Sequence, residues 1–366
     1  MSEVTALNKH PCPECGGESA WNPARQALVC PYCGTVVPGQ PKADGSGIAE
    51  HDLAAALRNV PDSARGWQEK KISVKCQSCN AISVFDPGRA AQRCDFCGSP
   101  AIVPYEETRD PIRPESLLPI KLAESAVRDG LRQWYGTRWF APNRLKRAAL
   151  TDTLKGVYLP YWTFDAKAHA DWTAESGYHY YVTETYTDAN GNRQTRQVQQ
   201  TRWEPSSGSV DHFFDDELIS GSTGIDAALL TKIEPFPTSK ELVPYDASFI
   251  RGWIVERYQI DLARAAQRSE QRMNEEMRAL CAGEVPGDTY RNLDVQTEYF
   301  DRTFKHVLLP IWLVTYTYGS KNFQVLVNGY TGAIAGRRPY SWIKILLTLL
   351  AGLAAAALLA LVMSHH

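Results

Sequence analysis

The chain has 366 residues, enough for two or three domains. Hydrophobic residues make up 44% and charged residues 22%, with a formal net charge of −2, a balance that excludes disorder on a large scale. Of nine cysteines, eight fall in four Cys-x-x-Cys pairs, and residues 1–20 hold no apolar run that could serve as a secretion signal, so the pairs read as metal ligands in a reducing compartment rather than as disulfides.

In chain order, the first cysteine set is Cys12, Cys15, Cys30 and Cys33, and the second is Cys76, Cys79, Cys94 and Cys97. In each, two Cys-x2-Cys pairs are separated by fourteen residues, and an offset of 64 lays Trp21 on Phe85, Pro23 on Pro87, Arg25 on Arg89 and Gly34 on Gly98. This is one module used twice. Four thiolates match the tetrahedral preference of Zn²⁺, and a module this small gains from the metal the stability its core cannot supply. The reading is two structural zinc ribbons, at residues 8–38 and 72–104, each closed by four Cys ligands. A redox Cys-x-x-Cys pair rivals any single knuckle but does not explain four at matched spacing.

Zinc ribbons also touch nucleic acid, which keeps a tethered nucleic-acid-binding protein as the alternative function. Residues 1–104 hold ten Lys plus Arg and ten Asp plus Glu. Two tetrathiolate sites, each about −2 when loaded, would make the region acidic, the wrong sign for phosphate contacts. Between the ribbons, residues 39–71 form a linker with a short helix over Ile48 to Val60, capped by Ser46, stopped by Pro61, with Leu53, Leu57 and Val60 on its apolar face.

From Pro111 the composition turns to Trp, Tyr, Thr and Val. The pattern predicts an amphipathic helix over Leu122 to Tyr135 with Val127, Leu131 and Trp134 inward, a short helix near Arg144 to Leu150, and a strand over Gly156 to Phe164. A hairpin follows, Tyr178 to Thr187 against Arg193 to Trp203 with Asn190-Gly191 at its tip. Next come a short strand with His212 and Phe214, an exposed acidic loop at Asp215 and Asp216, and a helix over Thr223 to Leu230. A longer helix, Leu262 to Cys281, has Asp261 as N-cap and Leu262, Ala266, Met273, Met277 and Leu280 in one stripe. Val307 to Trp312 then echoes Val157 to Trp162 at an offset of 150, before a strand over Phe323 to Val327 and an Asn328-Gly329 turn. The expectation is an α+β body of two duplicated helix-plus-antiparallel-sheet units, residues 111–240 and 241–338. Trp162 and Trp312 read as core, with a ligand site between them as the other option.

Ile345 to Met363 is free of charge and, at ~1.5 Å per residue, spans roughly 28 Å, enough to cross a bilayer. Arg337, Arg338, Tyr340, Trp342 and Lys344 precede it, so residues 342–363 are expected to anchor a tail-anchored protein whose bulk and N-terminus lie in the cytoplasm. No phosphate-binding loop, dinucleotide fingerprint, His-Glu-x-x-His or Gly-x-Ser-x-Gly is present, and His169, His179, His212 and His306 are scattered, so no enzyme activity and no catalytic residue are expected.

The runs Trp139 to Pro142, Gly156 to Asp165, Thr303 to Pro310, Leu326 to Gly329 and Arg338 to Lys344 give the chain a resemblance over nearly its whole length. It resembles bacterial membrane-anchored proteins with a TFIIB-type zinc ribbon. Such proteins carry the label primosomal helicase-like, yet a helicase needs a nucleotide-binding loop and motor motifs that this chain lacks. What the resemblance implies is a component of the bacterial inner (cytoplasmic) membrane. Its partners would be proteins of the SPFH (flotillin-like) or phage-shock type. The tail anchor, the two closed metal modules and the lack of a catalytic set together give the expected function, an adaptor or scaffold on the cytoplasmic face with no small-molecule substrate.

Overall fold

The computed structural model describes residues 11–37, 48–60, 64–67, 71–85, 92–106, 111–138, 140, 154–187, 189, 191–318, 321–337 and 340–364. Three very long strands dominate it. In chain order the elements are β1 (Ala20–Asn22), β2 (Ala27–Val29), β3 (Val36–Val37), β4 (His51–Asp52), α1 (Leu53–Arg58), β5 (Ile72–Cys76), β6 (Ile82–Phe85), β7 (Ile102–Pro104), β8 (Ser116–Leu117), α2 (Glu124–Gly136), β9 (Leu154–Thr187), β10 (Arg193–Ser220), α3 (Ala227–Ile233), α4 (Thr238–Glu241), β11 (Val243–Pro244), β12 (Ile254–Arg257), α5 (Leu262–Glu284), β13 (Thr289–Tyr318), β14 (Lys321–Asn328), β15 (Ile334–Gly336) and α6 (Trp342–Ser364).

β1, β2 and β3 form a small sheet of their own; the other strands join one large sheet in which β8, β13, β9, β12, β6, β5 and β7 lie side by side. β9 is central. It pairs antiparallel with β13 from Leu154 to Gly177, while its other edge takes β12 in parallel at Val157 and Tyr158 and β10 antiparallel from Tyr161 onward. At ~3.3 Å per residue a strand of this length reaches roughly 110 Å. Its first half lies in the body and its second projects as a ribbon.

Alternation along β9 decides what packs where. Val157, Leu159 and Tyr161 face one core, which they share with Phe85, Cys94 and Phe96 of the second ribbon and with Leu229, Leu230 and Ile233 of α3. Tyr158 points the other way, into a core built from Val127, Leu131 and Tyr135 of α2 and from Trp21 and Leu28 of the first ribbon. Farther out, Trp162, Phe164, Ala166, Ala168, Ala170, Trp172 and Ala174 carry α5, which presents Leu262, Ala265, Ala266, Met273, Met277 and Cys281. Four alanines at alternate positions let the helix backbone come close. Gly208, opposite Trp172 on β10, leaves room for the indole, since a Cβ there would lie 2.7 Å from Trp172 Cζ2.

Several expectations change. Gly156 to Phe164 and Tyr178 to Thr187 are parts of one strand, and so are Arg193 to Trp203 and the segment around His212. The intervening polar residues hide the continuity, because one face of the ribbon is open to solvent. Asp215 and Asp216 are not an exposed loop: they form a β-bulge in β10 opposite Asp165, and Asp216 is buried at φ 56°. A second bulge in β13, at Asp301 and Arg302, lies beside it. Between them Asp165 accepts hydrogen bonds from Asp216 N–H at 2.6 Å and Thr303 Oγ1 at 3.2 Å, and Lys305 Nζ lies 2.9 Å from Asp216 and 3.1 Å from Glu50. Burial works against the Lys305 charge, but these carboxylates outweigh it and hold its pKa above the ordinary lysine value.

Two successive helix-plus-sheet halves are not separate units in the fold. Their strands are neighbours in one sheet larger than the sequence implied, with Leu159 directly opposite Leu309. Trp162 and Trp312 are core residues whose indole N–H groups donate to the carbonyls of Ile260 and Leu122. The linker helix is shorter than expected, capped by Asp52, whose side chain accepts from Ala55 N–H, and Leu57 is exposed while Leu53 is buried. α2 buries Tyr135 more fully than Trp134. α3 starts later than expected, behind an Asp226 cap. Asp261 caps α5 as expected, accepting from Arg264 N–H. Ser46, Pro61 and the helix near Arg144 to Leu150 lie outside the described residues.

α6 is a single helix of 23 residues whose described side chains are exposed or half-buried, and Trp342–Met363 is long and apolar enough to cross a membrane.

Candidate metal centres

Each cysteine set converges. The four sulfurs of Cys12, Cys15, Cys30 and Cys33 lie within 4.8 Å of one another, and those of Cys76, Cys79, Cys94 and Cys97 do the same. Cys12 and Cys33 approach to 3.3 Å and Cys15 and Cys30 to 3.5 Å; in the second set Cys76 and Cys97, and Cys79 and Cys94, are 3.6 Å apart. Sulfurs bound tetrahedrally at ~2.3 Å stand about 3.8 Å apart, so both clusters fit a four-coordinate ion of the kind that favours thiolate. All eight residues expected as metal ligands are therefore brought together in their two groups.

Local backbone chemistry explains why the sequence folds this way. Cys12 N–H donates to Gly17 O and Gly16 N–H to Cys12 O; Cys30 N–H donates to Thr35 O and Gly34 N–H to Cys30 O. The second set repeats all four bonds: Cys76 to Ala81, Asn80 to Cys76, Cys94 to Ser99 and Gly98 to Cys94. Gly34 and Gly98 sit at φ 75° and 73°, the left-handed region that a β-carbon opposes. These turns aim backbone N–H groups at sulfur: Ser78 N–H lies 3.4 Å from Cys76 Sγ and Phe96 N–H 3.4 Å from Cys94 Sγ.

Electrostatics favour a cation. The Cys79 thiol hydrogen-bonds to Cys94, which pushes Cys79 far up and brings Cys94 down to about 5. Clustered thiols cannot all ionise together without a counter-charge, and a divalent ion supplies it.

The two centres differ in surroundings. In the second, Cys76 and Cys94 are buried, Cys79 and Cys97 are half-buried, and β6 pairs with β12 of the main sheet. In the first, Cys15 and Cys33 are exposed. That ribbon docks through its far side: Trp21 packs on Phe249 at 4.6 Å, Trp21 N–H donates to Arg251 O, and Gln26 Nε2 donates to Ile120 O. Its knuckles consequently face away from the body.

Other polar residues singled out in the sequence do not converge. His169 pairs with Asp211 at 2.7 Å on the open face, His179 meets Thr201, and His212 approaches Glu276. His306 is buried, stacked on Trp162, with Nδ1 2.9 Å from the Ile112 carbonyl. Sequence reasoning missed the hub of Asp165, Asp216, Lys305 and Glu50, because bulges have no spacing signature. It also passed over the aromatic residue shared by the second knuckles, Tyr32 and Phe96, which the same offset aligns.

Comparison with known proteins places the chain beside one of undefined role. No family model matches it, and no solved structure does. In sequence it is similar to a protein of Bacillus subtilis (strain 168) described as "Uncharacterized protein YdjG", 22% identical over 334 residues, spanning 90% of this chain and 89% of that one.

Proposed function

We propose that the chain is a membrane-anchored zinc protein that gathers protein partners on the cytoplasmic face of the bacterial inner membrane. The observation that carries this reading is the contrast between the two centres. One four-cysteine cluster is built into the large sheet, while the other is held at the surface with its knuckles outward. A thiolate set closed by four protein ligands leaves no open position for catalysis, and Zn²⁺ is the ion that such sites most commonly hold. Trp342–Met363 supplies the anchor, and the cations Arg337, Arg338 and Lys344 on its body side favour a cytoplasmic body. The partner class implied by the family resemblance is the SPFH or envelope-stress proteins. We assign no catalytic step, since the polar groups at the sheet bulges are engaged with one another, Lys305 facing Glu50, Asp165 and Asp216. The near-balance of charge over residues 1–104 argues against nucleic acid. The pairing of Leu159 with Leu309 is read as the trace of an internal duplication.

The test uses full-length protein in detergent. Elemental analysis is expected to find two zinc ions per chain, and affinity capture from membranes is expected to retain a defined set of proteins. Iron in place of zinc would overturn the metal assignment. A capture no richer than an unrelated anchored control would overturn the adaptor role.

A further inference from the structure

The second ribbon shows how this knuckle docks, and the first carries the same device with nothing on it among the described residues. The Cys94–Cys97 knuckle presents Phe96, which is 0% exposed and sits in the core that Leu309, Ile311 and Leu326 share. The Phe96 carbonyl accepts from Thr315 Oγ1 at 2.9 Å and from Gln324 Nε2 at 3.0 Å, and the neighbouring Asp95 takes Lys155 Nζ at 2.6 Å. The knuckle thus plugs an aromatic ring into a sheet face, while side-chain donors grip the peptide group behind it.

Tyr32 holds the equivalent place in the Cys30–Cys33 knuckle, within a turn that repeats the same backbone hydrogen bonds. It is 80% exposed. One edge of its ring rests against Gly17, where a Cβ would come within 2.7 Å of Tyr32 Cδ2, and the rest is open. The ribbon is fixed to the body by Trp21, Leu28 and Gln26 on its opposite side, so Tyr32 stands on a rigid, outward mount. Pro31 replaces Asp95, so a lysine is not needed opposite, and the phenol adds a polar end to the plug. Glu14 on the companion knuckle and Glu18 beyond it disfavour a phosphate-bearing ligand.

We infer that the Cys30–Cys33 knuckle docks a folded partner protein by seating Tyr32 in an apolar socket on that partner's β-sheet face, with hydroxyl or amide side chains at the rim donating to the Tyr32 carbonyl. This deepens the adaptor reading and rests on it. An exposed tyrosine on a ribbon that is itself docked is the kind of residue that anchors an interface, since its large ring has only two side-chain torsions to order.

The experiment places p-benzoylphenylalanine at position 32 of the full-length chain in its host membranes, with position 186 on the ribbon as the comparison. Irradiation at 32 is expected to give one dominant protein adduct. Its mapped residue should lie on a β-sheet face beside Ser, Thr, Asn or Gln. Tyr32→Ser should lower affinity capture of that protein about tenfold, as loss of an anchor does, while Tyr186→Ser leaves it unchanged and both variants keep two zinc ions. An adduct at 32 with nucleic acid, lipid or a second copy of the chain would overturn the proposal, as would capture unaffected by Tyr32→Ser. If proteins are captured but not through position 32, the knuckle proposal alone falls. If no protein is captured from any position, the adaptor reading falls with it.

Discussion

At the scale of single residues, equivalent cysteines are not energetically equivalent. Cys94 lies under the main sheet beside Phe96, so Cys94→Ser is expected to remove one metal ion and with it several kcal/mol of body stability, since binding energy of a structural site is folding energy. Cys15→Ser should also lose one ion but lower the melting of the large sheet less, because Cys15 is exposed, its ribbon has a separate small sheet, and its main share of the body core is Trp21 and Leu28. Metal content and circular-dichroism melting on both variants check this; equal melting losses would refute the distinction. His306 gives a pH signature. Burial drives its pKa down to about 4, below the usual 6.5, so the folded state prefers the neutral ring. Stability from this site is present in full above about pH 6.5 and is lost as pH falls toward 4, up to about 3 kcal/mol. His306→Asn, which keeps a donor for the Ile112 carbonyl, should flatten that part of the profile in denaturant titrations between pH 4 and 7. The ligand cysteines were legible in the sequence because tetrahedral coordination enforces short, regular spacing. The polar hub was not, because Asp165, Asp216 and Lys305 lie far apart in the chain and meet only through two bulges.

At the scale of elements, α2 and α5 were readable to within a few residues, since caps such as Asp261 and the stripe through Met273 and Met277 are local signals. The long strands were broken up by the same logic that finds short ones. Asp165 to Ala174 alternates polar residues with Ala and Trp, and alanine carries little strand preference of its own. Its value lies in the partner: α5 needs small residues beneath it. Ala168→Leu is therefore expected to destabilise by about 1–3 kcal/mol through overpacking, whereas Lys167→Leu on the open face should change stability by less than about 0.5 kcal/mol. Chemical denaturation of the two variants tests the assignment of faces. Losses of equal size would mean that α5 does not cover this stretch.

At the scale of the whole molecule, the sequence conveyed the inventory of parts but not their fusion. Residues 72–104 read as a zinc ribbon with its own boundaries, yet β6 hydrogen-bonds to β12, and the cysteine cluster caps a shared core. Two helix-plus-sheet halves read as consecutive units, yet β9 and β13 are interleaved in one sheet. Non-local pairing of this kind leaves no periodic trace. The exposed first centre should release its metal to a chelator well before the second, in two phases rather than one. A colorimetric zinc-release assay with excess chelator measures this, and a single phase releasing both ions would exclude it. Removal of residues 342–366 should shift the chain from the membrane pellet to the soluble fraction without changing metal content, which fractionation followed by elemental analysis would establish.

The central position of β9 also dictates an order of assembly. β9 and β10 follow one another closely in the chain and can zip up as a hairpin at once. Phe304 of β13, by contrast, must find Phe164 across 140 positions of chain, counted as 304 − 164. Loop-closure entropy has to be met before those contacts repay it, so β13 should be the slow step, and until it docks one whole edge of β9 stands unpaired. The nascent protein therefore passes through a state with a long sticky strand edge. Its yield in the cell should depend more on chaperone supply during that interval than on the stability of the finished fold.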